Sequence, residues 1–124
     1  MKLIYLAAPL SAPTWQARAR NLARAQQLRD MLERDRGVMV FLPHERIARE
    51  HGYPSAEETD EIRAAAFRSC LTALVRIQRR GGALHVLRRP DGTVSDGCQI
   101  EIDHWTSFGG DVVYHGESDS WEMT

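Results

Sequence analysis

Four short apolar runs, each parted from the next by a longer polar or helical stretch, limit what this chain can fold into. They are residues 2–7 (KLIYLA), 38–42 (VMVFL), 83–87 (ALHVL) and 111–114 (DVVY). Nearly continuous apolar runs with branched and aromatic members are the mark of strands covered on both faces. Between the first two, Leu22, Ala25, Leu28 and Leu32 recur at three- and four-residue steps, so residues 14–34 read as a helix that Gly37 ends. Ser55 with Glu58 fits a capping box, opening a second helix to about residue 80 with Ile62, Ala66, Cys70, Ala73, Leu74 and Ile77 on its inner face. A third helix begins at TVSDG, capped by Ser95 or Asp96, and runs to about Phe108 with Cys98, Ile102 and Trp105 inward. Alternation of this kind predicts an α/β flavodoxin-like (Rossmann-like) three-layer sandwich, a parallel sheet of four to five strands with helices on both faces. Residues 1–115 form the expected single domain and 116–124 a polar C-terminal tail.

The 124 residues suffice for one buried core. Sixteen basic against seventeen acidic side chains give a net charge of −1, so no global field favours a nucleic-acid polymer or an anionic membrane. The arginines fall on helix faces and read as solvated surface. The apolar N-terminal run is too short to span a bilayer and reads as a buried first strand. Cys70 and Cys98 lie far apart and lack a CxxC partner, which fits reduced thiols in a cytoplasmic protein. The five histidines have no HxxxH or HExxH spacing, so a metal is not expected.

Open parallel sheets bind ligands beyond the carboxyl ends of their strands, where the strand order reverses. The loops expected there are residues 8–13, 43–54 and 88–97. They bring Ala8, Pro9, Ser11, His44, Ser95, Asp96 and Gly97 to one edge as binding candidates. His44, at the mouth of the second strand, is a candidate proton donor, though it reads more readily as a structural turn histidine. Glu101 stands out on the third helix. On a helical wheel it falls about 60° from Cys98, between Trp105 and Phe108, inside an apolar stripe. A carboxylate there is costly unless paired or put to use. Gly97 precedes it by one turn and leaves the backbone N–H groups open, while Ser95 adds a hydroxyl, which together outline a seat for phosphate. The same residues also make an ordinary helix cap with an edge acid. Ile100 points off the stripe and, with Trp121 in the tail, is a candidate homodimer contact.

Three segments resemble the nucleoside 2-deoxyribosyltransferase-like superfamily. KLIYLAAPL is similar to its opening strand and loop, usually IYLAGPL. Asn21-Leu-Ala-Arg-Ala25 is similar to its Asn-x-x-Arg-Ala first-helix pattern. Ser95-Asp-Gly-Cys-Gln-Ile-Glu101 fits the S-x-G-x-x-x-E signature of its 2′-deoxynucleoside 5′-phosphate N-hydrolases. The likeness runs from Lys2 to about Tyr114. It implies Glu101 as a nucleophile that captures the anomeric carbon and Tyr5 as the residue orienting it, although Tyr5 reads equally as a buried strand tyrosine. It further implies Ser95 and Gly97 as phosphate contacts, a nucleoside or nucleotide substrate, no cofactor and a homodimer. Ser95 stands where the transferase branch usually has Asp, which favours a phosphorylated substrate. Ala8 replaces the usual Gly of the first loop, and Gly81-Gly82 occupies a place where many relatives carry Asp. These departures leave a second expectation, a nucleotide-binding or sensing module without turnover.

Overall fold

The computed structural model describes residues 2–46 and 60–116. In chain order the elements are β1 (Leu3–Ala7), α1 (Trp15–Arg36), β2 (Met39–Phe41), α2 (Asp60–Arg79), β3 (Ala83–Leu87), α3 (Asp96–Ser107) and β4 (Val112–His115). All strand pairs are parallel and the sheet order is β2-β1-β3-β4. The protein is a small α/β domain of the flavodoxin-like kind, with helices on both faces of a four-stranded sheet.

The period-two geometry of β1 explains its unbroken apolar run. Ile4 and Leu6 point to one face and pack with Ala25, Leu28 and Leu32 of α1. Tyr5 and Ala7 point to the other, where they meet Leu74 and Ile77 of α2 and Cys98, Ile102 and Trp105 of α3. Burying a leucine such as Leu28 or Leu32 fully contributes roughly 1.5–3 kcal/mol, more than the intrinsic helix preference of any single residue.

Local chemistry sets the helix ends. Thr14 caps α1 by accepting from the Ala17 N–H (3.2 Å), and Gly37, at φ 61°, closes it in the left-handed conformation. On edge strand β2 the Val40 N–H donates to the Glu33 carboxylate at 3.1 Å, so a side chain covers a backbone donor the sheet leaves open.

Several expectations shift. β4 begins one residue later than its apolar run suggests, because the Asp111 carbonyl accepts from Trp105 Nε1 (3.0 Å) instead of entering the ladder. Phe108 does not join the α3 stripe. It is the C-cap, φ −100° and ψ 13°, and its ring is 70% exposed. Nor are all arginines solvated: Arg18 is buried, donating to the Ala12 carbonyl at 2.9 Å. The Ser55–Glu58 capping box, residues 47–54 of the expected second loop and residues 117–124 of the expected tail, Trp121 among them, lie outside the described residues.

Candidate active site

The strand order reverses between β1 and β3, and in such sheets the ligand crevice opens beyond the carboxyl ends of those two strands. α1 ties down the loop after β1. Arg18 holds the Ala12 carbonyl and Asn21 Nδ2 donates to the Leu10 carbonyl at 3.0 Å. Arg24 of the same helix donates to the Arg88 carbonyl, fastening the loop after β3 as well. Arg29 and Gln26 hold the Glu45 carboxylate and so steady the turn that carries His44.

At the centre is a pair of buried side chains. The Tyr5 hydroxyl, on β1, donates to Glu101 Oε2 on α3. Tyr5 is fully covered and Glu101 is 7% exposed. They meet because Tyr5 is on the β1 face that α2 and α3 cover, and Glu101 lies one turn after Gly97 on the buried side of α3. Burial pushes the Glu101 carboxyl up from 4.5 to about 7, against the pull of the Tyr5 hydrogen bond, which favours the ionised form. Burial first, and the neighbouring Glu101 charge second, push the Tyr5 phenol well above its usual 10. Tyr5 therefore stays a hydrogen-bond donor. Cys98, buried beside them, is pushed up to about 12 by burial and then by Glu101.

Above the pair, Ser95 caps α3. Its hydroxyl oxygen accepts from the Cys98 N–H at 3.2 Å. Asp96 and Gly97 are exposed in the first turn, and a Cβ added at Gly97 would meet nothing within 4 Å. Ala8 and Pro9 are buried and Ser11 is exposed on the loop after β1.

His44 follows β2 in the chain. It is buried and hydrogen-bonded to the Ala8 backbone, and burial lowers its pKa from 6.5 to about 4. The ring is neutral at pH 7, and its buried Nδ1 has no hydrogen-bond partner among the described residues. A neutral ring whose free nitrogen carries a lone pair accepts hydrogen bonds and is not a proton donor. Gly81 and Gly82 precede β3 at the amino edge of the sheet, across from Glu101. A Cβ at Gly82 would lie 2.6 Å from the Leu3 carbonyl oxygen and 2.5 Å from Ile77, so an acid could neither fit there nor reach the carboxyl edge. A cavity of about 280 Å³ lined by Lys2, Leu3, Met39, Arg80 and Gly81 is also at the amino edge, away from Glu101.

No family model and no curated protein matches the chain. Among solved structures it is similar to the crystal structure of a conserved protein from Enterococcus faecalis V583, with TM-score 0.51 and 24% identity over 92% of this chain. That likeness is one of fold. The chain spans 62% of that protein's length. The architecture is the α/β type on which nucleotide-binding domains are built. Among the described residues, no helix is long and apolar enough to cross a membrane, and no three His, Cys, Asp or Glu side chains could jointly hold a metal ion.

Residue spacing did not reveal the anchoring roles of Arg18, Asn21 and Arg24, since an arginine on a helix gives no sign of which carbonyl it reaches. Cys70 was visible only as an inward-facing helix residue. It packs against the cluster that holds Tyr5.

Proposed function

We propose that the protein is an N-glycosidase of the nucleoside 2-deoxyribosyltransferase-like kind, acting on nucleoside 5′-monophosphates. The observation that carries this reading is the buried Tyr5–Glu101 pair one turn below an open, glycine-bearing helix N-terminus. The Ser95 hydroxyl and the first N–H groups of α3 receive the phosphate, whose charge the helix terminus favours. In its ionised form Glu101 attacks the anomeric carbon as the bond to the base breaks, capturing the oxocarbenium-like charge as a glycosyl ester. Tyr5 donates to the second carboxylate oxygen and keeps the attacking one aimed. Water, or a second base, then displaces Glu101 from the sugar and restores the carboxylate.

Because the reaction needs the ionised carboxylate, kcat/KM rises with pH through about 7. The test is incubation with a panel of ribo- and 2′-deoxyribonucleoside 5′-monophosphates, with free base measured by chromatography. Base release that Glu101→Ala abolishes is the expected result. Absence of release from every member of the panel overturns the reading.

One observation favours a second reading, a nucleotide-binding module without turnover. His44 is a neutral acceptor and supplies no proton to a departing base. A rise in melting temperature with nucleotide, unaccompanied by free base, identifies that case.

A further inference from the structure

We propose that the cavity at the amino edge of the sheet is a second binding site, suited to a small phosphate monoester with an apolar body. Nothing in this inference rests on the glycosidase reading. The cavity lies at the opposite end of the strands from Ser95 and Gly97.

Its volume is about 280 Å³ and its lining is Lys2, Leu3, Met39, Arg80 and Gly81. Two neighbouring glycines with opposite surroundings shape it. Gly82 brings the turn after α2 hard against β1, since a Cβ there would lie 2.6 Å from the Leu3 carbonyl oxygen. Gly81, at φ 75°, faces open space, with nothing within 4 Å of the place a Cβ would take. The turn is thus pinned at one residue and hollow at the one before. Leu3 and Met39 are register partners on adjacent parallel strands, so their side chains stand side by side on one face of the sheet. Met39 is 55% exposed, an apolar side chain that the core leaves uncovered.

Lys2 and Arg80 bring two positive charges, and among the described residues no carboxylate lines the cavity. Neither cation makes an ion pair among those residues. The acids near this end of α1 are engaged elsewhere: Glu33 accepts from the Val40 N–H at 3.1 Å and Asp35 pairs with Arg34 at 3.3 Å. The last carbonyls of α2 are engaged too. Arg76 and Ile77 accept from the Arg80 N–H, Gln78 from Gly81, and Ile77 again from Gly82. What remains to meet a ligand is a pair of cationic donors beside a thioether and an aliphatic wall.

Two cations without a counter-ion match one dianion. A phosphate monoester carries close to two negative charges at neutral pH and offers three acceptor oxygens. Met39 and Leu3 favour an apolar body beside that head, and a methionine adapts its shape to what it covers. The volume falls just under the roughly 300–1,000 Å³ of pockets that enclose drug-sized ligands, which fits one small molecule. Lys2 and Arg80 are both exposed, so salt screens their attraction and each contributes modestly.

The probe for the test is phenyl phosphate, which has the dianionic head, an aromatic body and no glycosidic bond to cleave. It is titrated into the full chain and followed by amide NMR. Saturable shifts at Leu3, Met39 and Gly81 are expected, with an affinity that falls several-fold from low to physiological ionic strength. Lys2→Gln and Arg80→Gln each weaken binding roughly two- to five-fold, and Met39→Ser weakens it as well. These three side chains are exposed, so the fold is retained in each variant. Phenol and inorganic phosphate, each holding half of the required chemistry, bind less tightly than the probe. Ser95→Ala leaves the three shifts unchanged, which separates this site from the phosphate seat on α3. Absence of shifts at those amides overturns the proposal, as does a Lys2→Gln/Arg80→Gln double variant that binds like the wild type. Inorganic phosphate binding as tightly as phenyl phosphate also overturns it, because the apolar wall then has no part in recognition. A protein that shows these shifts but releases no base from nucleotides loses the glycosidase reading and keeps this site.

Discussion

Glu101 holds its place at a thermodynamic cost that can be measured. In the unfolded chain its carboxyl ionises near 4.5, and in the fold near 7, so the native state binds that proton more tightly. The stability this provides is complete below pH 4.5 and is lost as pH rises through about 7, a difference of about 3 kcal/mol. Glu101→Gln retains an oxygen to accept from Tyr5 and carries no charge. It is expected to stabilise the protein by up to about 3 kcal/mol at pH 8 and by little at pH 4.5, as urea unfolding at the two values will read. Part of this residue was legible in advance, because a carboxylate inside the stripe of Cys98, Ile102 and Trp105 is visible from a 3.6-residue period. Its partner was not. Periodicity places Tyr5 in a strand, but the contact spans 96 positions and depends on which face of β1 the third helix covers.

At the level of elements, short-range chemistry was readable and long-range competition was not. Ser95 as cap, Gly37 as C-cap and the five residues of β3 follow from local rules. The later start of β4 goes with the indole of Trp105 reaching the Asp111 carbonyl, a contact no propensity encodes. The same indole makes two glycines respond oppositely to one substitution. A Cβ at Gly110 would lie 2.2 Å from Trp105 Nε1, whereas at Gly97 it meets open space. Gly110→Ala is expected to cost about 2–3 kcal/mol as the indole is displaced. Gly97→Ala is expected to be neutral or slightly stabilising, yet to weaken nucleotide binding if the proposed phosphate seat lies over this turn. Thermal melts and a binding titration of the two variants separate these outcomes.

Across the whole molecule two buried groups set opposing responses to pH. His44 ionises near 4 in the fold and near 6.5 outside it, so its contribution is complete above 6.5 and is lost as pH falls through about 4. Glu101 works the other way. Between pH 4.5 and 6.5 the two slopes offset one another, and above 6.5 only the Glu101 loss continues. The combined contribution of the pair to stability is therefore nearly level from 4.5 to 6.5 and declines toward 8. In Glu101→Gln the remaining His44 term rises from pH 4 to 6.5 and then levels, which a melting series at half-unit steps will show. The alternation of apolar runs and helices made this architecture readable, since a parallel sheet covered on both sides leaves few other arrangements. What the candidate site binds was not readable to the same degree. It depends on loop conformations and on side chains such as His44, whose burial removes the protonation its intrinsic chemistry would suggest.

The shared stripe of α3 has a consequence for how this carboxylate can change. Cys98, Ile102 and Trp105 are wedged between strands and a neighbouring helix, and Glu101 rides on the same turns. Its backbone has almost no liberty of its own: for its Cα to travel an ångström, the helix must slide, and sliding would open voids beneath the indole. The group is thus a fixed datum. Variation around the candidate site is left to its loops, while the helix that carries the acid stays where the interior has set it.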